Sequence, residues 1–435
     1  MKKFLLTLLV AAGMVGTAKA DYYLFYGYNY DNNWGQLCIL TEESEGVYSS
    51  ILNLEDKNLI SWGSCTIVLS TQSELGDQWS NVVWPGLDDR TSILTADAFT
   101  LGAYQSGKEG KLYIPITEIT PNTYAVKFTY TESTHQIKAT RLVEFASSND
   151  NWHSGDPVYL SETSHSTGVF TDNLTLPANT EFKFVVNGNS NDKSGQALWY
   201  GYSNDNGNIY ISETGANMKV SADGVYTITA TLSNYNYVAP VLVTATASVG
   251  SSGMATLSSP YALDFTGISD ISAYTITGTN GNQLVLSQIT GKVKANTGLY
   301  IEGAAGASEE IPTTICTTDP GTNLLKAGTG EKIYQTDGSK TNFILTTNNG
   351  ESATPKFYKV NDNGNTVAVG KAYLQLEGTL ARTYDYFCFG DDATGIDTIN
   401  KSQLTSGNYF DLQGRKVTSP TKGLYIVDGK KVVIK

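Results

Sequence analysis

Through most of this chain, short apolar runs alternate with polar residues, and turn-forming clusters separate the runs. "YYLFYGYNY" at 22–30 alternates rings with smaller groups, the period-two signature of a strand. "GVYSSILNL" and "CTIVLS" continue the pattern, "GKLYIPI" adds a strand, and "NTYAVKFTYTESTHQIKATRL" reads as a strand and closing hairpin. Between them "DNNWGQ" is a turn carrying Trp34, and "GDQWSNVVWPGLDD" is a loop carrying Trp79 and Trp84.

Residues 144–242 repeat this plan. "YDNNW" (Tyr30–Trp34) aligns with "SNDNW" (Ser148–Trp152), and "EGVYSSILNL" with "TGVFTDNLTL". A central strand follows in each ("CTIVLS", "EFKFVV"), then an aromatic loop ("DQWSNVVWPG", "ALWYGYSNDNG"), then a ring-bearing strand ("NTYAVKFTY", "DGVYTITATL"). The same order twice argues for duplication. Beyond 242, Asn-Gly or Asp-Gly pairs at 280–281, 337–338, 349–350 and 363–364 predict hairpins. Tyr261, Leu263, Phe265, Tyr274, Phe357 and Tyr373 are the expected core of that part. Near the end, Tyr409 to Leu412, Leu424 to Val427 and "KKVVIK" read as strands of a β-hairpin tail.

The expected fold is therefore all-β. Its divisions are a segment 1–20, a β-sandwich module 21–143, a second 144–242, a C-terminal β-rich domain 243–395 and a β tail 396–435. Composition agrees. Charged residues make up only 16% of the chain, against 42 Gly and 27 Tyr, which suits many short strands joined by turns.

"MKKFLLTLLVAAGMVGTAKA" has a charged start, an apolar run and a small-residue Ala18-Lys19-Ala20 site, the order of a secretory signal peptide. No Cys follows Ala20, so a lipid anchor is not expected, and no other stretch has the 18 consecutive apolar residues of a spanning helix. Secretion or display at the cell surface is the expected destination. The full chain has net charge −13; without residues 1–20 it has 26 basic against 42 acidic residues, or −16. Such a product repels phosphates, so nucleic acid is not an expected partner. Cys38–Cys65 and Cys316–Cys388 could each pair within one module, and neither pairing is required.

The candidate chemistry lies where rings border small polar residues. Trp152, Trp199, Tyr200 and Tyr202 sit directly beside Asn, Asp, Ser and Gly. Ring faces cover sugar C–H groups, and neighbouring amides and carboxylates take the hydroxyls, so this mixture suits a polyhydroxylated ligand. The competing reading makes one or both indoles plugs between sheets. Trp34, Trp79 and Trp84 are the corresponding candidates in the first module.

Catalytic signatures are absent: there is no GxSxG, HExxH, Walker A loop or dinucleotide fingerprint. Adjacent acids such as Asp88-Asp89 would face opposite ways on a strand, a poor geometry for a glycosidase pair. His153 and His165 flank "DPVYLS" without an evident third ligand, so no metal is expected. The chain is expected to be a non-enzyme without cofactors.

The order "N-x-N-W … G-V-[YF] … F-K-F … W-Y/W-P loop … G-V-Y-T-I" resembles the tandem starch-binding β-sandwich domains of the SusE/SusF surface proteins of Bacteroidetes, over roughly 220 residues. The resemblance implies immunoglobulin-like sandwiches and an aromatic platform for polysaccharide or oligosaccharide, with a starch-like α-glucan as first candidate. It also implies outer-membrane glycan-uptake machinery as a partner. "A-T-L-x-x-P-x-A-L-D-F … K-A-Y-L" resembles a β-domain found near the C-terminus of secreted Bacteroidetes proteins, which implies a scaffold or spacer. "YFDLQGRKV", "KGLYIV" and "GKKVVIK" resemble a type IX secretion sorting tail, which implies secretion machinery as a second partner. The alternative function is a surface adhesin or structural protein whose β-modules present protein-binding loops.

Overall fold

The computed structural model describes residues 22–27, 34–53, 64–73, 82–83, 91–94, 98–102, 112–115, 125–152, 157–164, 167–186, 197–347, 354–389, 396–399, 409–411, 415–417, 423–427 and 430–434. The fold is all-β, with mainly antiparallel sheets. Among the described residues the sole α-helix is Thr379–Thr383, and no helix is long and apolar enough to cross a membrane. The segment 1–20 lies outside the described residues. The chain divides into two compact units; residues up to 174, 179–221 and 227–241 make the first, and the remainder make the second.

The first unit contains the same pairing scheme twice. Strand Tyr22–Gly27 pairs with Trp34–Ser44 and with Ser64–Ser70. Trp34–Ser44 turns into Val47–Asn53, which pairs along its whole length with Ala125–Thr131. In the second copy Gln136–Ser147 pairs with Val158–Glu162 and Glu181–Val186. Val158–Glu162 turns into Val169–Leu176, which pairs with Gly224–Thr231. Of the aligned segments, Val47–Asn53 and Val169–Leu176, Ser64–Ser70 and Glu181–Val186, and Ala125–Thr131 and Gly224–Thr231 occupy equivalent strands, while most of "YDNNW" and "DQWSNVVWPG" lies outside the described residues. Gln136–Ser147 serves both copies: its first half pairs with Ala125–Thr131 and its second half opens the second scheme, so residue 143 falls within a continuous strand.

Period-two alternation sets what each strand buries. In Glu181–Val186 the alternate residues Phe182, Phe184 and Val186 are buried, with Phe145 stacked on Phe182 at 4.8 Å, and Val185 on the other face is covered as well. Burying rings of this size contributes about 2–3 kcal/mol each. The first copy has its own core, which includes Leu24, Tyr48, Ile67, Leu69 and Phe128.

The second unit holds two four-stranded sheets around Leu263, Phe265, Leu299, Ile301 and Ile311, and a further sheet around Phe343, Phe357, Leu374 and Phe387. Of the expected core residues, Leu263, Phe265 and Phe357 are buried, while Tyr261, Tyr274 and Tyr373 are half-buried. A phenol hydroxyl holds Tyr274 at the boundary: it donates to Glu302 Oε1 at 2.7 Å. The Asn280-Gly281 and Asp337-Gly338 pairs close hairpins, with φ of 60° at each glycine. Gly364 closes a turn onto the Asn361 carbonyl, and 349–350 lies outside the described residues. In the tail, Tyr409–Phe410, Gly423–Val427 and Lys430–Ile434 are strands of a five-stranded sheet, which Ile396–Ile399 joins in parallel. Cys316 is a free thiol, so a Cys316–Cys388 bond is not formed; the Cys65 side chain lies outside the described residues.

Candidate functional site

Register places Trp199. Antiparallel pairing aligns Glu144 with Val185 and Val185 with Trp199, so these three share one face of the sheet. Phe145, Phe184 and Tyr200 form the neighbouring row on the opposite, core-facing side. Trp199 therefore points away from the phenylalanine core while Tyr200 extends it. Trp199 is half-buried, and Tyr200 is only 6% exposed.

Trp152 reaches the same place from a different part of the chain. Strand Gln136–Ser147 ends in a single 3-10 turn, Ser148–Asp150, and Ser148 Oγ accepts the Glu181 N–H at 2.9 Å. That bond ties the turn to the neighbouring strand. Asn151 (φ 55°) and Trp152 (φ 55°) then both take positive φ, and the Trp152 N–H donates to the Ser147 carbonyl at 2.7 Å. Asn tolerates this region; a bulky indole residue seldom enters it and pays for doing so. The two indoles meet with centroids 6.2 Å apart and planes tilted by 60°. Both rings stay half-buried, so each keeps part of its surface in water.

Tyr200 and Tyr202 lie on the other face and recruit rings that the sequence reading passed over. Tyr200 stacks on Tyr235 at 5.4 Å with planes 20° apart, and Tyr202 meets Tyr237 edge-on at 5.0 Å. The Tyr200 hydroxyl donates to Glu213 Oε1 at 3.3 Å; burial first, then Tyr235, raises its pKa above the ordinary phenol value. Burial likewise raises Tyr237, with Tyr202 adding to it. Asn204 Nδ2 donates to the Tyr202 hydroxyl at 3.4 Å. The signal for Tyr235 and Tyr237 was their i, i+2 spacing in "SNYNYV", immediately after a strand.

The structure thus brings Trp152 and Trp199 together and sets Tyr200 and Tyr202 apart from them. Trp34 opens the strand Trp34–Ser44, but its side chain, together with Trp79, Trp84, His153 and His165, lies outside the described residues. His135 places Nδ1 3.2 Å from the Tyr130 hydroxyl. Among the described residues no three His, Cys, Asp or Glu side chains gather as a metal site would require.

No family model matches the chain, and no curated protein matches it. Among solved structures it is similar to the crystal structure of SusF from Bacteroides thetaiotaomicron, at 12% identity over 67% of this chain and 72% of that one. The TM-score is 0.22, too low for the likeness to say anything of this chain's ligand.

Proposed function

We propose that this chain is an exported, non-catalytic glycan-binding protein. The observation that carries the reading is the tilted Trp152–Trp199 pair, half-open to water at the end of a β-sandwich and held by two consecutive left-handed residues. Backbone strain of this kind persists only where surrounding structure enforces it, and it concentrates at ligand-contacting positions. Two rings inclined to each other fit successive sugar units that turn along a curved chain, which favours an α-glucan of starch type. Each stacked ring contributes on the order of 1 kcal/mol. A duplicated module bearing Trp34, Trp79 and Trp84 would add a second contact through effective concentration. The charged, apolar and small-residue order of residues 1–20 supports export.

The test is affinity electrophoresis of the full chain against starch, xylan, mannan and host glycans, with Trp152→Ala and Trp199→Ala beside wild type. Weakened retardation with an unchanged melting temperature supports the reading. Unfolding of both variants would make the indoles packing residues and sink it. Release of reducing sugar from the same panel would identify an enzyme, and retention by protein ligands alone an adhesin.

A further inference from the structure

We propose that Tyr235 forms a second sugar-stacking site on the side of the module opposite the Trp152–Trp199 pair. The proposal rests on the reading of the ligand as a glycan but not on the tryptophan pair. Three observations carry it. Tyr235 is 36% exposed although its ring lies nearly parallel to Tyr200, so one face is backed by a buried phenol while part of the residue meets solvent. Its backbone is fixed: φ is 59°, and its carbonyl accepts the Ile211 N–H at 2.8 Å. A ring already held in place loses little freedom on binding, which is the advantage of a preorganised platform. Exposed Asn234 and Asn236 flank it. The Asn234 side-chain oxygen accepts the Asn236 backbone N–H at 3.1 Å, and the Asn236 side-chain amide is bonded to no group among the described residues. A flat ring bordered by neutral amides, each offering donor and acceptor, matches an uncharged pyranose.

Opposite placement follows from strand alternation. Trp199 and Tyr200 are consecutive on strand Leu198–Asp205, so the partners they recruit, Trp152 and Tyr235, stand on different sides of it. A module with two faces can hold two glycan segments at once.

The test uses the full chain in gels containing soluble starch, xylan or mannan. Tyr235→Leu keeps an apolar cover on Tyr200 and removes the flat face; Tyr235→Trp widens the face. The expected result is about a fivefold loss of affinity for Tyr235→Leu at unchanged melting temperature, with Tyr235→Trp at or above wild type. The double variant Tyr235→Leu/Trp199→Ala should bind more weakly than either single variant. Wild-type retardation of Tyr235→Leu, while Trp199→Ala abolishes it, overturns this proposal and leaves the glycan reading standing. A wild-type chain that no polysaccharide in the panel retards overturns both.

Discussion

Gly201 and Gly215 approach so closely that neither could carry a side chain. A Cβ on Gly201 would sit 2.6 Å from the Gly215 carbonyl oxygen and closer still to that of Ala216; one on Gly215 would overlap the Gly201 carbonyl. The approach lets Tyr202 and Ala216 exchange two backbone hydrogen bonds, 2.8 and 2.7 Å, which fold the 213–216 turn onto strand Leu198–Asp205. Gly201→Ala should therefore destabilise the first unit by about 3 kcal/mol, because the clash is with backbone that cannot swing aside. Urea unfolding followed by tryptophan fluorescence measures it, and a loss under about 0.5 kcal/mol, the range of ordinary surface changes, would show that the turn relaxes freely.

A buried ion pair fixes the start of the second repeat. Arg141 donates through Nε to Glu162 Oε2 at 2.8 Å and through a second nitrogen to Oε1, with side chains 11% and 2% exposed. Glu162 Oε1 also accepts the Gly168 N–H at 2.9 Å. Arg141→Met should cost about 3–5 kcal/mol, since it strands a buried carboxylate. Arg141→Met/Glu162→Leu should recover part of that, leaving about 1–3 kcal/mol for the orphaned Gly168 N–H. Denaturant melts of the three proteins decide it, and a double variant no better than the single one contradicts the account.

Acid should weaken the second unit through Asp223. The Ala178 N–H, donating to its Oδ1 at 2.8 Å, and then Lys292 Nζ at 3.2 Å hold its pKa below the ordinary carboxylate value. A depressed folded-state pKa stabilises above the unfolded value of about 3.9, and that stability is lost as pH falls through the lower folded value. Asp223→Asn should thus lower the melting temperature at neutral pH and converge with wild type in strong acid. Lys292→Ala should change little, because that pair is exposed and screened. Melting curves across the acid range test both, and a constant gap between Asp223→Asn and wild type rules this linkage out.

Much of the fold was legible because strands bury alternate residues. "EFKFVV" announced its strand, and Asn280-Gly281 announced its hairpin. The Trp152–Trp199 pairing was legible only as two rings among amides. What joins them is register and a left-handed turn, and no local pattern specifies either. The split between Trp199 and Tyr200 was within reach of the period-two rule. "ALWYGYSNDNG", expected as an aromatic loop, is largely strand, and Tyr235 and Tyr237 gain their place only through tertiary contact with Tyr200 and Tyr202.

Asn151 should control the tryptophan pair without touching a ligand. It caps the Ser148–Asp150 turn at φ 55° and ψ 46°, and Trp152 continues in the same handedness. Asn151→Gly meets no steric penalty there and should leave stability near wild type. Asn151→Val places a β-branched residue in the left-handed region, at a cost of about 1–2 kcal/mol. If the turn escapes that cost by unwinding, Trp152 leaves Trp199 and glycan retention falls with it. Near-ultraviolet circular dichroism reports the coupling of the two indoles directly. The expected order of both dichroic signal and retardation is wild type and Asn151→Gly together, then Asn151→Val, then Trp152→Ala. Full retardation of an Asn151→Val protein that has lost the indole signal would separate sugar binding from the pair.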